Sequence, residues 1–274
     1  MTDQPQLRKA VLLAAGRGTR LGALTAHTPK PMLEVAGAPI IEHIVSGLAE
    51  AGVAEFVIVT GHLARQVESW CASYARAHRS VRIAAVRQEK RDGTGGAMLA
   101  AMRRVASEAR FLFGWGDVLM DRANYPRFLV RARTEQYDLM LAVNRVRDPY
   151  RGAAVYVTPD MRVERIVEKP MQGASTTTWN NAGLFAAGPS LFDYLKRLKR
   201  SPRGELELPA AIEMMIAEGR LVRAVDTRGF WSDVGTPEDL AKARERFRPQ
   251  SAEQPRAANG GNAGQAGKAD KIKE

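Results

Sequence analysis

A chain of 274 residues is long enough for one large α/β domain or two small ones. Its 45% hydrophobic and 26% charged residues are the balance of an ordinary globular protein, and no apolar run approaches the roughly 18–20 residues needed to span a membrane. The net charge of +11 attracts anions, but the basic residues are spread along the chain. The densest cluster, Lys196 to Arg200, has no interleaved aromatics and reads as a solvated helix end, so a nucleic-acid partner is not expected. The single cysteine, Cys71, excludes an intrachain disulfide and a thiolate metal cluster. The polar start MTDQPQLRKA, followed by a short apolar run, lacks a signal-peptide core; a cytoplasmic location is expected.

In chain order, KAVLLAAG (9–16) is short, continuously apolar and stopped by glycine, which predicts a buried strand. Residues 38–52 predict a helix, with Ile40, Ile41, Ile44, Val45 and Leu48 along one face and Gly52 at its end. EFVIVTG (55–61) is a second strand, 63–76 a helix, VRIAAVRQ (81–88) a third strand, 95–105 a helix, and ARFLFGWGD (109–117) a fourth strand. Strands alternating with helices imply a parallel sheet, with ligands outside the carboxyl ends of its strands. The loop after 15, the stretch QEKRDGTGG (88–96) and Asp117 should therefore share one rim.

After residue 138 the pattern changes. DLMLAVNRV (138–146), GAAVYVTPD (152–160), RVERIVEKP (162–170) and WNNAGLFAAG (179–188) are strand-like with short turns between them. Helices follow at about 189–199 and 206–219, then more strand across 221–235, then a helix from Pro237 to Phe247 capped by Thr236. From Arg248 to 274 the chain is rich in Gly, Ala, Gln and Pro, which predicts a disordered tail behind a folded unit of 8–247.

The first loop, LAAGRGTRLGALTAHTPKPM (13–32), places Arg17, Arg20 and Lys30 among glycines. A dinucleotide fingerprint would need glycine at Leu21, and a Walker loop would need Gly-Lys-Ser/Thr, so neither fits. What remains is a nest of backbone N–H groups around Gly16 and Gly18 with cations nearby, which suits phosphate oxygens.

This loop resembles the Gly-x-Gly-Thr-Arg-Leu…Pro-Lys-Pro signature of the sugar-phosphate nucleotidylyltransferases. Further blocks match in order: RQEKRDGTGGAM, GWGDVLMD, RIVEKP, NNAGLF and GFWSDVGTPEDL. The resemblance covers about residues 8–247. It implies a Rossmann-like α/β fold of the nucleotide-diphospho-sugar transferase type: a mixed, mostly parallel sheet flanked by helices, single-domain, with a sugar-binding subregion. It also implies transfer of a nucleotidyl group from a nucleoside triphosphate to a sugar 1-phosphate, with magnesium.

Carried over by position, the resemblance gives Arg17 the β/γ-phosphates and Lys30 the α-phosphate, with Gly16 and Gly18 supplying N–H groups. Asp117 and Asp233 would hold magnesium, and Lys169 would contact the sugar phosphate. Glu168 and Asn181 would bind sugar hydroxyls, with Gly152 approaching by its backbone. Gln88, Gly93, Thr94 and the Ala14–Ala15 backbone would read the base. Gln88 offers both donor and acceptor, and the Ala15 methyl should crowd a purine, so UTP or dTTP is expected over GTP, with a hexose 1-phosphate as acceptor. A mannose-1-phosphate guanylyltransferase and a catalytically silent nucleotide-sugar-binding subunit remain alternatives. Two residues depart from the family pattern: Trp115, where a small residue is common, and Arg151, where tyrosine precedes the glycine. His27, His43, His62 and His78 show no metal-ligand spacing.

Overall fold

The computed structural model describes residues 7–248. The tail expected from Arg248 onward therefore lies, but for that one residue, outside the described residues.

The chain begins with β1 (Lys9–Ala14), a short ribbon β2 (Glu34–Val35) and β3 (Ala38–Pro39), and α1 (Ile40–Glu50). Next come β4 (Glu55–Thr60), α2 (Ala64–Ala77), β5 (Arg82–Arg87), α3 (Gly93–Val105), β6 (Phe111–Trp115), β7 (Leu119–Met120) and α4 (Asn124–Thr134). The second half holds β8 (Leu139–Arg145), β9 (Ala153–Val157), β10 (Val163–Glu168), β11 (Trp179–Ala187), α5 (Leu191–Arg197), α6 (Leu208–Ala217), β12 (Val222–Asp226), β13 (Trp231–Ser232) and α7 (Pro237–Arg246).

One nine-stranded mixed sheet runs β10-β9-β11-β6-β1-β4-β5, with β8 pairing β11 and β12. Its first-built half, β6-β1-β4-β5, is parallel, as the strand–helix alternation requires. β11 joins the halves, running antiparallel to both β6 and β8, with a register shift between Asn181 and Phe185. The stretch 221–235, expected as further strand, forms two strands: β12 belongs to the large sheet, while β13 pairs with β7 in a separate ribbon.

The continuous apolar runs of β1 and β4 arise because both faces of the sheet are covered. Ala10, Leu12, Phe56 and Ile58 point into one core with α1, α4 and α7. Val11, Leu13, Val57 and Val59 point into the other with α3, α5 and α6. Phe113 of β6 stacks on Phe185 of β11 at 4.7 Å, tying the parallel half to the joining strand. Truncating a fully buried residue such as Leu12 to alanine would cost about 2–5 kcal/mol.

The helix α4 was not expected from the sequence. Pro126 falls in its first turn, where a missing N–H costs nothing, and Tyr125, Phe128, Leu129 and Ala132 form its buried face. The α7 start holds as expected. Thr236 accepts from Asp239 N, and the Asp239 carboxylate accepts from Thr236 N, which makes a reciprocal capping box.

Candidate active site

A cleft of about 1250 Å³ opens across the carboxyl ends of β1, β5 and β6. The first loop, the stretch at 88–97, Asp117, and the Gly152 and Glu168–Lys169 region line it together. The shared rim expected from the strand ends is therefore present. Ala15, Gly16, Arg17, Gly18, Lys30, Gln88, Gly93, Thr94, Asp117, Gly152, Glu168, Lys169, Asn181 and Asp233 all line the cleft. Ala14 does not: it is buried in β1 with its side chain in the core.

Lys30 is the centre of the cation end. Gly18 takes a left-handed conformation (φ 64°), and the chain turns back so that Lys30 packs against it. The Lys30 ammonium then lies 2.7 Å from Asp117 Oδ2, and its side chain is only 7% exposed. It also donates to the backbone carbonyl of Asp233. A buried ammonium needs such partners, because desolvating it unpaired is very costly.

Arg20 is the residue that the carried-over roles missed. Its Nη2 lies 3.1 Å from Asp233 Oδ2, and it lines the same cleft as Arg17. Arg17 is exposed at the cleft rim. The signal for Arg20 was its place in the glycine loop, without anything in the sequence to show that Asp233, more than 200 positions on, would meet it.

Asp117 and Asp233 both reach Lys30, one through its carboxylate and the other through its backbone carbonyl. Each carboxylate has one oxygen against a cation and is about one-third exposed on the cleft side. Among the described residues no cluster of three or more His, Cys, Asp or Glu side chains is placed to hold a metal. A hard divalent cation would thus take two carboxylates here and complete its oxygen shell with phosphate and water, a donor set that fits magnesium.

At the other end, burial pushes the Glu168 carboxyl above the ordinary range, while Lys169 and Arg203 beside it pull it back down. Arg203 lies 3.4 Å from Glu168 and 2.7 Å from Glu207. The cluster Lys196–Arg200, read as a solvated helix end, leads into a segment that returns to Asp92: Arg200 approaches the Asp92 carboxylate, and Leu206 N donates to the Asp92 carbonyl. Lys169 itself holds φ 43° and Val234, beside Asp233, φ 42°. Left-handed backbone at a β-branched residue is sparsely populated, costing of order 1–3 kcal/mol, and such outliers cluster at functional sites.

Several polar groups face inward as well as toward the cleft. Asn181 Oδ1 accepts from Gly183 N across the β11 bulge, which leaves its amide N–H₂ as the donor. The Thr94 hydroxyl accepts from Leu208 N at the start of α6. A Cβ on Gly152 would stand 2.2 Å from Asn180 Oδ1, so the buried Asn180 amide by itself accounts for glycine there. Gln88 Nε2 donates to Asp92 Oδ1 at 3.1 Å and to Gly93 O at 3.0 Å. The expectation that Gln88 offers both a donor and an acceptor is corrected: its donors are engaged.

A family model described as "Nucleotidyl transferase" matches residues 9–249. The chain is 31% identical to the bifunctional protein GlmU of Methanococcus maripaludis over 87% of its own length, and spans about half (54%) of that relative. It is also 31% identical to UTP--glucose-1-phosphate uridylyltransferase AglF of Haloferax volcanii, over 89% of this chain and 98% of that one. Among solved structures, a UDP-glucose pyrophosphorylase complexed with UDP-glucose superposes with TM-score 0.78 at 22% identity, covering 88% of this chain and 98% of its own. A UDP-glucose pyrophosphorylase from Acinetobacter baumanii gives TM-score 0.73 at 24% identity, covering 88% and 93%. At those identities the structural likeness is one of fold.

Proposed function

Because the chain belongs to the nucleotidyl transferase family, we propose that it moves a nucleotidyl group from a nucleoside triphosphate to a sugar 1-phosphate, within a transferase unit of residues 8–247. UTP or dTTP is the favoured donor and a hexose 1-phosphate the acceptor. The observation that carries this reading is Lys30, a buried cation linked to both Asp117 and Asp233 at one end of a cleft whose other end holds Glu168 and Lys169. The likeness to a uridylyltransferase over nearly its whole length supports the choice of UTP.

In this reaction a phosphate oxygen of the sugar 1-phosphate attacks the α-phosphorus in line. The bond to the β-phosphate oxygen breaks, and pyrophosphate leaves with that electron pair. No proton needs to be abstracted from an ionised phosphate, so positioning and charge stabilisation are the main requirements. In this reading Arg17 and Arg20, which line the cleft, take the β- and γ-phosphates, and Lys30 takes the α-phosphate. The Gly16–Gly18 backbone adds N–H donors. Lys169 orients the sugar phosphate, and the Glu168 carboxylate accepts from sugar hydroxyls, with the Asn181 amide donating to them. Asp117 and Asp233 would hold magnesium, which when bound neutralises charge on the phosphates.

The test is a pyrophosphate-release matrix of five nucleotides against glucose, mannose, galactose and N-acetylglucosamine 1-phosphates. Highest turnover is expected with UTP or dTTP. Highest turnover with GTP and mannose 1-phosphate would sink the choice of base and sugar, and no release with any pair would sink the activity.

A further inference from the structure

The geometry points to Asp92 as a positioning residue that makes Gln88 accept only, and so lets the cleft tell a uracil or thymine edge from a cytosine edge. This inference rests on the nucleotide-binding reading of the cleft. Gln88 Nε2 has two acceptors on one side, Asp92 Oδ1 at 3.1 Å and Gly93 O at 3.0 Å. Turning the amide over would set its oxygen against those two oxygens, so the orientation is imposed by its neighbours. The remaining polar atom of this cleft-lining side chain is Oε1, an acceptor.

Asp92 is itself held. Its backbone carbonyl accepts from Leu206 N at 2.6 Å, and its Oδ2 lies 3.6 Å from Arg200 Nη2. The carboxylate lies against Gly96, where an added Cβ would stand 1.8 Å from Asp92 Oδ1. The last glycine of DGTGG therefore has a reason beyond the turn: Gly96 leaves room for the group that orients Gln88.

An acceptor in that place needs an N–H opposite it. Uracil and thymine present N3–H. Cytosine presents a bare N3, so two lone pairs would face each other and a buried acceptor would be left without a donor. Asp92→Asn weakens this without changing shape, because the new amide can donate to a turned-over Gln88 oxygen and leaves the Gly93 carbonyl alone to oppose the turn. Gly96→Ala acts from the other side by pushing the carboxylate away.

The test is equilibrium titration calorimetry of UTP and of CTP, each with magnesium, into the full-length protein and both variants. No sugar phosphate is added, so the result does not depend on turnover. The wild type should bind UTP about 100-fold tighter than CTP, and the ratio should fall to about tenfold or less in each variant. A purely structural role for Asp92 would weaken both nucleotides alike and leave the ratio where it was. An unchanged ratio in Asp92→Asn overturns the inference, as does wild-type protein that binds CTP as tightly as UTP. Should Gly96→Ala not fold, the near-isosteric Asp92→Asn decides alone. A ratio that shifts as expected while no sugar phosphate yields pyrophosphate would instead overturn the proposed activity and leave the role of Asp92 standing.

Discussion

The Lys30 ammonium lies 2.7 Å from Asp117 Oδ2, on a side chain only 7% exposed. A cation so enclosed is at once part of the packing and part of the site. Lys30→Met keeps most of the stem and deletes the charge. Turnover should fall roughly 100–1,000-fold, by analogy with removal of one preorganised donor to a developing anion. Asp117 remains partly solvated, so the stability loss should be about 1–3 kcal/mol, with Tm lowered about 2–4 °C per kcal/mol. Stopped pyrophosphate release and a thermal melt check the two halves. Near-normal turnover would remove Lys30 from the reaction.

Chelation should separate activity from stability. Turnover is expected to vanish with chelator and return with magnesium, because the carboxylate pair needs a cation to meet a triphosphate. Tm should stay unchanged in chelator without nucleotide, because Lys30 and Arg20 already balance Asp117 and Asp233 in the folded chain. A melt that drops on chelation would reveal a structural metal, and full activity of Asp117→Ala without metal would end the two-aspartate assignment.

Arg17→Ala and Arg20→Ala should each lower turnover by roughly 100–1,000-fold while leaving the melt nearly untouched, since both side chains are exposed. Arg20→Ala carries an additional signature. It releases Asp233 from its 3.1 Å partner, so the magnesium concentration for half-maximal rate should change in that variant and not in Arg17→Ala. Identical magnesium dependence in both would show that the Arg20–Asp233 contact is irrelevant to the metal.

Glu168 predicts a pH dependence. Burial raises its carboxyl pKa, so as pH falls the group protonates earlier than ordinary carboxylates do and stops accepting from sugar hydroxyls. KM for the sugar phosphate should rise on an acid limb lying above the usual carboxylate range, and Glu168→Gln should lack that limb. The linkage sign runs the other way for stability. The folded state holds this proton more tightly than the unfolded chain, so the stabilising contribution is present at low pH and is lost as pH rises through the window between the unfolded and the raised folded value. Glu168→Gln should therefore melt no lower than wild type at neutral pH. An acid limb that persists in Glu168→Gln would assign it to another group.

Cys71 should be silent to thiol reagents. It is buried, and burial pushes its thiol up to about 12, so almost no thiolate exists at neutral pH. A colorimetric reagent should label nothing in native buffer and one thiol per chain in denaturant. Rapid native labelling would mean that α2 opens readily.

Much of this was legible in advance because periodicity reports burial. The apolar runs at 9–16 and 55–61 are short, continuous and stopped by glycine, so they read as buried strands, and strand ends gather a rim. Tertiary partnership was not legible. Nothing local shows that Arg20 meets Asp233, that Arg203 folds back onto Glu168, or that a loop lysine is buried beneath Gly18. The α4 helix escaped because Pro126 reads as a breaker unless the helix start is already known. Gln88 shows the same limit at the scale of one amide. Its composition permits donor and acceptor, and only its neighbours decide which faces the cleft.

The two cores lie on opposite faces of one sheet, and the cleft leans on both. Leu33, Val35 and Val118, next to Lys30 and Asp117, belong to one core, while Ala97 and Met98, in the helix that follows Gln88, belong to the other. Substitutions in separate clusters without shared partners combine nearly additively, within about 0.3–0.5 kcal/mol. Here the clusters do share a partner at the cleft: Trp115 packs against both, and Leu13 and Ala15, which lead into the first loop, belong with α3, so substitutions that meet at Trp115 should depart from additivity.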